Sequence, residues 1–530
     1  MKKIAVILLA VCLCAPVGWA AYVDYQGAGG SLNVAGNWYV ITDPNNPASR
    51  TGETRLPTYG DDAFIRNTTT DTVAGTLTTI RLEVGSPQIT GVPSQGPTTV
   101  YVPSGATITA VRRIGQDFSE PYVAVGGYYP ATMNITGGNV LVNGAVTPFV
   151  SVGSVPDLED PEAARTVGVG VLNMTGGSID ITSNAAEFDV GGHSGATGTF
   201  NMSGGSVRVN RYRGPDRSVR IGGRGGNGTM NLSGGTFTDN ATIDLGVELN
   251  DPNVPAYGLL NQTGGVYQAS YRLIIGENYG KGHYRLLGGT LQGVGPDETA
   301  HIWMGRFRSD EQVPGTYTST GKMTFNQTGV LHLNSMWMGV GGGAGEPDHS
   351  QLELKLNSAN PFQIHWDETC EWYGLLEVSL TDGYTPAPGT EWKVYDYDLA
   401  HRGHSTTLAF SVITPGFRIV DRPATKSVYL ICDALRHGGD ANNDGAVNVG
   451  DLGILAGNWQ QYDMFGKSWE EGDFTGDDVV NVGDLGVLAG AWGWTGTPVP
   501  GAPVPEPASL MLLALGGLAL RRRAKPSLRA

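Results

Sequence analysis

Near the end of the chain, Asp440, Asn442, Asp444, Asn448 and Asp451 fall at positions 1, 3, 5, 9 and 12 of a loop that has Gly445 at position 6. A hard cation such as Ca2+ takes about six to eight oxygen ligands from a chain that bends sharply, and alternating Asp and Asn around a glycine meets both needs. The backbone carbonyl of Ala446 would fill position 7. A second copy displaced by 33 residues offers Asp473, Thr475, Asp477, Asn481 and Asp484, with the Val479 carbonyl at position 7. Two departures predict weaker binding in loop two. Thr475 supplies a hydroxyl where loop one has an amide, and Asp478 stands where loop one has Gly445. Asp enters the left-handed region more easily than most residues, but not as freely as Gly.

These oxygens need helices to hold them. VNVGDLGILAGNW from 447 and VNVGDLGVLAGAW from 480 agree at 11 of 13 positions, so the loop and its following helix recur as one unit. Gly453, Gly457, Gly486 and Gly490 weaken both helices, each by ~1 kcal/mol against Ala, so metal and mutual packing must support them. Trp459 and Trp492 occupy equivalent ends and are expected to fill a shared core. Residues 437–495 resemble the type I dockerin module, which implies one calcium per loop–helix unit and a cohesin-type partner. Loop positions 10 and 11 are Val449-Gly450 and Val482-Gly483, without the hydroxyl pair common in that family.

Upstream, one phrase recurs as MNITGG, LNMTGG, FNMSGG, MNLSGG and LNQTGG, followed by the degenerate YRLLGG and FNQTGV. Successive first glycines are 39, 28, 30, 30, 24 and 41 residues apart, a repeat period of stacked units with two longer insertions. A second phrase, such as FDVGG or VRIGG, alternates and closes on glycine, so each unit holds at least two short strands. Stacked at ~4.8 Å, Asn134, Asn173, Asn201, Asn231, Asn261 and Asn326 are expected to form an amide ladder rather than glycosylation sites. The repeats resemble the autotransporter-like β-solenoids of bacterial surface proteins. Gly36-Asn37-Trp38 and the stretch from Leu56 to Ala63 are similar to the opening segment that often precedes them.

The expected fold class is all-β, a parallel β-solenoid with β-rich end caps plus a small α-helical calcium-loop domain. The expected boundaries are a signal peptide over 1–20, an N-terminal cap over 21–120, repeats over 121–348 and a β domain over 349–436. The dockerin-like domain then covers 437–495, a linker 496–504 and a sorting tail 505–530. Met-Lys-Lys, an apolar run and small residues at Gly18 and Ala20 define the signal peptide. Val504-Pro505-Glu506-Pro507, an apolar run and Arg521-Arg522-Arg523 resemble the PEP-CTERM sorting signal. That resemblance implies an exosortase-type processing enzyme and a transient or anchoring membrane contact through the tail.

A net charge of −16 without a cationic stripe argues against a nucleic-acid partner. The mature chain keeps Cys370 and Cys432, either bridged or buried as free thiols. Glu187 with Asp189, Asp244 with Glu248, His301 with Arg306 and Arg308, and His365, Asp367 and Glu368 are the polar clusters that an enzyme could use, and they read as solvated faces or turn residues. The expected function is an exported structural or adhesive surface protein with a calcium-dependent docking module. The alternative is a polysaccharide lyase, glycoside hydrolase or noncatalytic glycan binder, and an exopolysaccharide is then a partner.

Overall fold

Period-two alternation broken by glycines favours strands, and the computed structural model is mostly β. It describes most of residues 22–496. Outside the described residues lie 1–21, 497–530 and connecting segments, the longest being 86–96, 112–119, 157–163, 307–319, 339–349 and 399–406. The expected signal peptide, nearly all of the linker and the sorting tail therefore fall outside them. Among the described residues no helix is long and apolar enough to cross a membrane. Packing divides the chain into two units. One is Met1–Gly282 with Gln292–Ala300 and Val313–Thr318, and the other is His283–Leu291 with His301–Gln312 and Ser319–Ala530.

In the first unit, each repeat strand pairs in parallel with its counterpart one repeat on. Strands Ala131–Asn143, Val169–Thr182, Thr197–Met202, Asn227–Leu232 and Tyr257–Ala269 bring Asn134, Asn173, Asn201, Asn231 and Asn261 into register. Each amide Nδ2 donates to the Oδ1 one repeat earlier, at 2.9, 2.8, 2.8 and 3.0 Å. Alternation turns the residue before each Asn inward, and Met133, Leu172, Phe200, Met230 and Leu260 are buried.

A second parallel row runs through Phe149–Val152, Glu187–Val190, Arg217–Gly223, Thr242–Glu248 and Arg272–Asn278. Its strands close on the expected glycines. Gly222 has φ +61, and a Cβ there would stand 1.6 Å from the Tyr257 carbonyl oxygen, so the turn demands both a left-handed residue and bare backbone.

Parallel pairing begins before the repeats. Tyr22–Tyr25, Asp62–Ile65, Arg81–Val84 and Tyr122–Val125 form one continuous row, so residue 121 marks no break. What covers the first edge is the antiparallel strand Trp38–Ile41, itself paired with Arg50–Thr54. Trp38 is buried and its Nε1 donates to the Leu32 carbonyl at 2.7 Å.

In the second unit, Thr320–Asn326, Ser350–Leu356, Glu371–Leu380 and Thr407–Ile413 form a parallel row that crosses residue 349 without interruption. Beside it, Gly329–Leu333, Gln363–Trp366 and Glu391–Tyr397 form another. The antiparallel strands Phe417–Arg422 and Ser427–Cys432 end it. Cys370 and Cys432 are buried and form no disulfide, and burial pushes the Cys370 thiol well up. Two short helices follow, α1 over Val449–Gly457 and α2 over Val482–Gly490.

Candidate metal centre

Both helices begin at residues expected as metal ligands, which here cap the helices. Asn448 Oδ1 accepts from Gly450 N at 2.7 Å, while Asp451 Oδ2 accepts from Asn448 N at 2.8 Å, forming a capping box. Asn481, Gly483 and Asp484 repeat it at 2.7 and 2.8 Å. Loop positions 9 and 12 are thus also the helix start, which offsets part of the glycine cost.

Backbone N–H groups shape the rest of each loop around carboxylates. Asp440 accepts from Asp444 N and Gly445 N at 3.1 and 3.0 Å, and buried Asp451 accepts from Ala441 N and Asn442 N at 2.9 and 3.3 Å. Asn442 Nδ2 donates to Asp444 Oδ2 at 2.9 Å, and Asn448 Nδ2 to the Ala446 carbonyl at 3.1 Å. In loop two, Asp473 accepts from Gly476 N and Asp478 N at 2.7 and 2.8 Å. Asp484 accepts from Phe474 N, Thr475 N and Thr475 Oγ1 at 2.8, 2.9 and 3.0 Å. Asn481 Nδ2 donates to Asp477 Oδ2 and the Val479 carbonyl at 3.0 and 3.1 Å.

Loop two, expected to be the weaker, holds the carboxylates of Asp473, Asp477 and Asp484 within 4.8 Å of one another. Burial pushes the Asp473 carboxyl up to about 7 against the Asp478 N–H bond, with Asp484 and Asp477 adding repulsion. Burial likewise raises Asp440. A divalent cation among these groups reverses that penalty, because it favours the ionised forms.

The two loop–helix repeats close on each other reciprocally. Gln460 N, after α1, donates to the Val480 carbonyl of loop two, and Gly493 N, after α2, donates to the Val447 carbonyl of loop one, both at 2.9 Å. The shared core is Ala441 with Phe474, Val447 with Val480, and Leu455 with Leu488, each pair one 33-residue repeat apart. Trp459 and Trp492 do not join it and are 36% and 52% exposed. They lie past the last helical turn, where the chain is already committed to the cross-bonds. Trp469 and Trp494 pack there instead, Trp469 edge-on to Phe474 at 5.2 Å with its Nε1 donating to the Asp440 carbonyl.

Asp478 does adopt the left-handed turn, with φ 74 beside 84 for Gly445. Its carboxylate points out of the loop onto the sheet of the second unit. Lys355 Nζ donates to Asp478 Oδ1 at 2.8 Å and to the Gly476 carbonyl at 3.2 Å, and Arg285 pairs with Oδ2. Beneath lies a buried charge network in which Lys322 sits 3.2 Å from Glu353 and 3.5 Å from Glu377, and Lys355 sits 3.5 Å from Glu353. Burial alone would raise the Glu353 carboxyl, but the two ammonium groups outweigh it and hold it well below the usual range. In the sequence, QLELKL over 351–356 alternates like an ordinary strand with one solvated face. Both faces of it are buried, and the charged pair Glu353 and Lys355 on its polar face was the available signal.

The other polar clusters are largely ion-paired. Arg220 binds Glu187 at 3.1 Å and Asp189 at 3.0 Å, and Arg211 binds Glu187 at 3.1 Å. Arg217 bridges Asp244 and Glu277 at 2.5 and 3.1 Å. His301 accepts or donates at Ser335 Oγ, 2.8 Å away, and stacks on Trp337. The side chains of Glu248 and Arg306, and all of Arg308, lie outside the described residues.

The PEP-CTERM protein-sorting motif matches residues 503–524. No curated protein and no solved structure matches the chain. The motif supports an exported, surface-sorted protein and implies processing by an exosortase-type enzyme.

Proposed function

We propose that this is an exported structural or adhesive protein of the cell surface, a β-solenoid carrying a calcium-dependent, dockerin-like docking module ahead of its sorting tail. The observation that carries the reading is the pair of loops whose ligand positions are also the caps of α1 and α2. Metal and helix then form together, and the folded module is the calcium-bound one. Supporting it are the parallel rows built on amide ladders, an architecture suited to length and stiffness. A cohesin-type protein or an exopolysaccharide is the partner class that this reading assigns.

The test uses the mature full-length chain. Calcium titration by calorimetry is expected to show two sites, and retention of the chain on the producing cell surface is expected to require calcium and to fail in Asp440→Ala/Asp473→Ala. Surface retention unchanged by EGTA would overturn the docking role. Turnover of an acidic polysaccharide by the purified chain would favour a carbohydrate-active protein instead.

A further inference from the structure

Strands Gly329–Leu333, Gln363–Trp366 and Glu391–Tyr397 lie side by side with His332 paired to His365 and His365 paired to Asp396. Alternation buries Leu331, Leu333, Ile364, Trp366, Tyr395 and Tyr397 and turns His332, His365 and Asp396 to the opposite face. The imidazoles sit 4.7 Å apart, edge to face. Just beyond the second strand, Asp367 N donates to the Leu333 carbonyl at 3.1 Å and Glu368 N to the Asn334 carbonyl at 2.8 Å, which brings the Asp367 carboxylate back over the two rings.

Asp367 Oδ1 is 3.0 Å from His332 Nε2 and 3.4 Å from His365 Nε2. Tetrahedral ligands at about 2.0–2.1 Å from a metal stand about 3.3 Å from one another, so these donors already have the spacing of a coordination shell. His365 Nδ1 is 2.7 Å from Asp396 Oδ1, and Lys393 Nζ fixes Asp396 Oδ2 at 2.5 Å. With Nδ1–H donated to Asp396, Nε2 of His365 faces the Asp367 carboxylate oxygen, a gap that a metal ion fills as well as a ring proton does. A carboxylate behind a metal-binding imidazole is the usual device for orienting it.

We propose that His332, His365 and Asp367 form a Zn2+ site, with Asp396 orienting His365. Two imidazole nitrogens and one carboxylate suit Zn2+, whereas the all-oxygen loops near the C-terminus suit Ca2+. The site is partly open, with side chains 45%, 34% and 34% exposed, so a water or an incoming donor completes the coordination. The chain thus carries two metal classes, and this site is independent of the docking reading.

The experiment titrates ZnCl2 into the full chain, expressed without a polyhistidine tag, stripped of metal and held in saturating CaCl2 to occupy the oxygen loops. The expected result is one equivalent of Zn2+, with Co2+ giving the visible absorption of a tetrahedral nitrogen–oxygen site. His332→Ala and His365→Ala are expected to abolish that equivalent, and Asp396→Asn to weaken it about 10- to 100-fold. Calcium binding and circular dichroism should not change in these variants, since the side chains lie on the outer face. Absence of Zn2+ binding, or unchanged binding in the His332→Ala/His365→Ala variant, overturns the proposal and leaves histidine–carboxylate hydrogen bonds.

Discussion

Lys355 Nζ lies 2.8 Å from Asp478 Oδ1, joining the strand Ser350–Leu356 to the one loop residue that stands where a glycine is expected. Asp478 is only 12% exposed and Lys355 6%, so the pair is largely shielded from solvent and from salt. Without Asp478, Lys355 keeps Glu353 at 3.5 Å, so the loss is that of a charge-assisted hydrogen bond, about 1.5–3 kcal/mol. Asp478→Ala is therefore expected to speed amide exchange across 473–484 by about 10- to 100-fold, each 1.4 kcal/mol being a factor of about ten. Asp478→Gly should lose about 1 kcal/mol less, because it relieves the left-handed backbone. Equal exchange in wild type and Asp478→Ala would show that the contact does not hold the loop.

Calcium removal should act on the helices before the sheets. EGTA is expected to lower the far-UV helical signal and to leave the strand signal in place, because α1 and α2 start on the proposed ligand residues. Asp451→Ala should remove the tighter calcium step and Asp484→Ala the weaker. Calorimetric titration of both variants reads the order. Reversed steps would mean that the three converging carboxylates of loop two outweigh its Thr475 and Asp478 departures.

Asn201 is an interior rung of the amide ladder, donating to Asn173 and accepting from Asn231, both at 2.8 Å. Asn201→Ala leaves one donor and one acceptor without these partners, and a loss of about 1–2 kcal/mol is expected in urea unfolding. The same substitution at Asn261, whose Oδ1 has no hydrogen-bond partner, should cost less.

Asp239 supplies a pH dependence of defined sign. Burial pushes its carboxyl up to about 6, against the Ser218 hydroxyl and the Ala241 N–H that donate to it. Its native pKa thus exceeds the unfolded value, so the native state binds the proton more tightly between about pH 4 and 6. Stability contributed by this group is complete below about pH 4 and is lost as pH rises through about 6. Asp239→Asn should remove this group's slope and raise stability at pH 7 by up to roughly 3 kcal/mol. Urea midpoints at pH 4 and 7 in both proteins check it.

Short-range pattern was enough for much of this. Period-two alternation and the 28- to 30-residue phrase spacing place Asn134, Asn173, Asn201, Asn231 and Asn261 on one line, because stacked parallel strands keep register through identical side-chain alternation. The loop spacing likewise lines up Asp440 to Asp451 and Asp473 to Asp484, since the ligand positions lie within one twelve-residue loop and the helix cap within one turn. The exposed places of Trp459 and Trp492 were not legible, because core membership depends on where a chain goes after its helix ends.

By itself, then, the sequence determined the strand periodicity, the repeat, the spacing of the loop oxygens and the sorting motif, all of which are local in the chain. Only the tertiary structure decided that Asp478 reaches Lys355 and Arg285, or that His332 meets His365 and Asp367. The first contacts join residues 123 and 193 positions apart, and the His332–Asp367 contact spans 35. Such meetings depend on strand register and on how one element covers another, and no spacing rule within a segment encodes either.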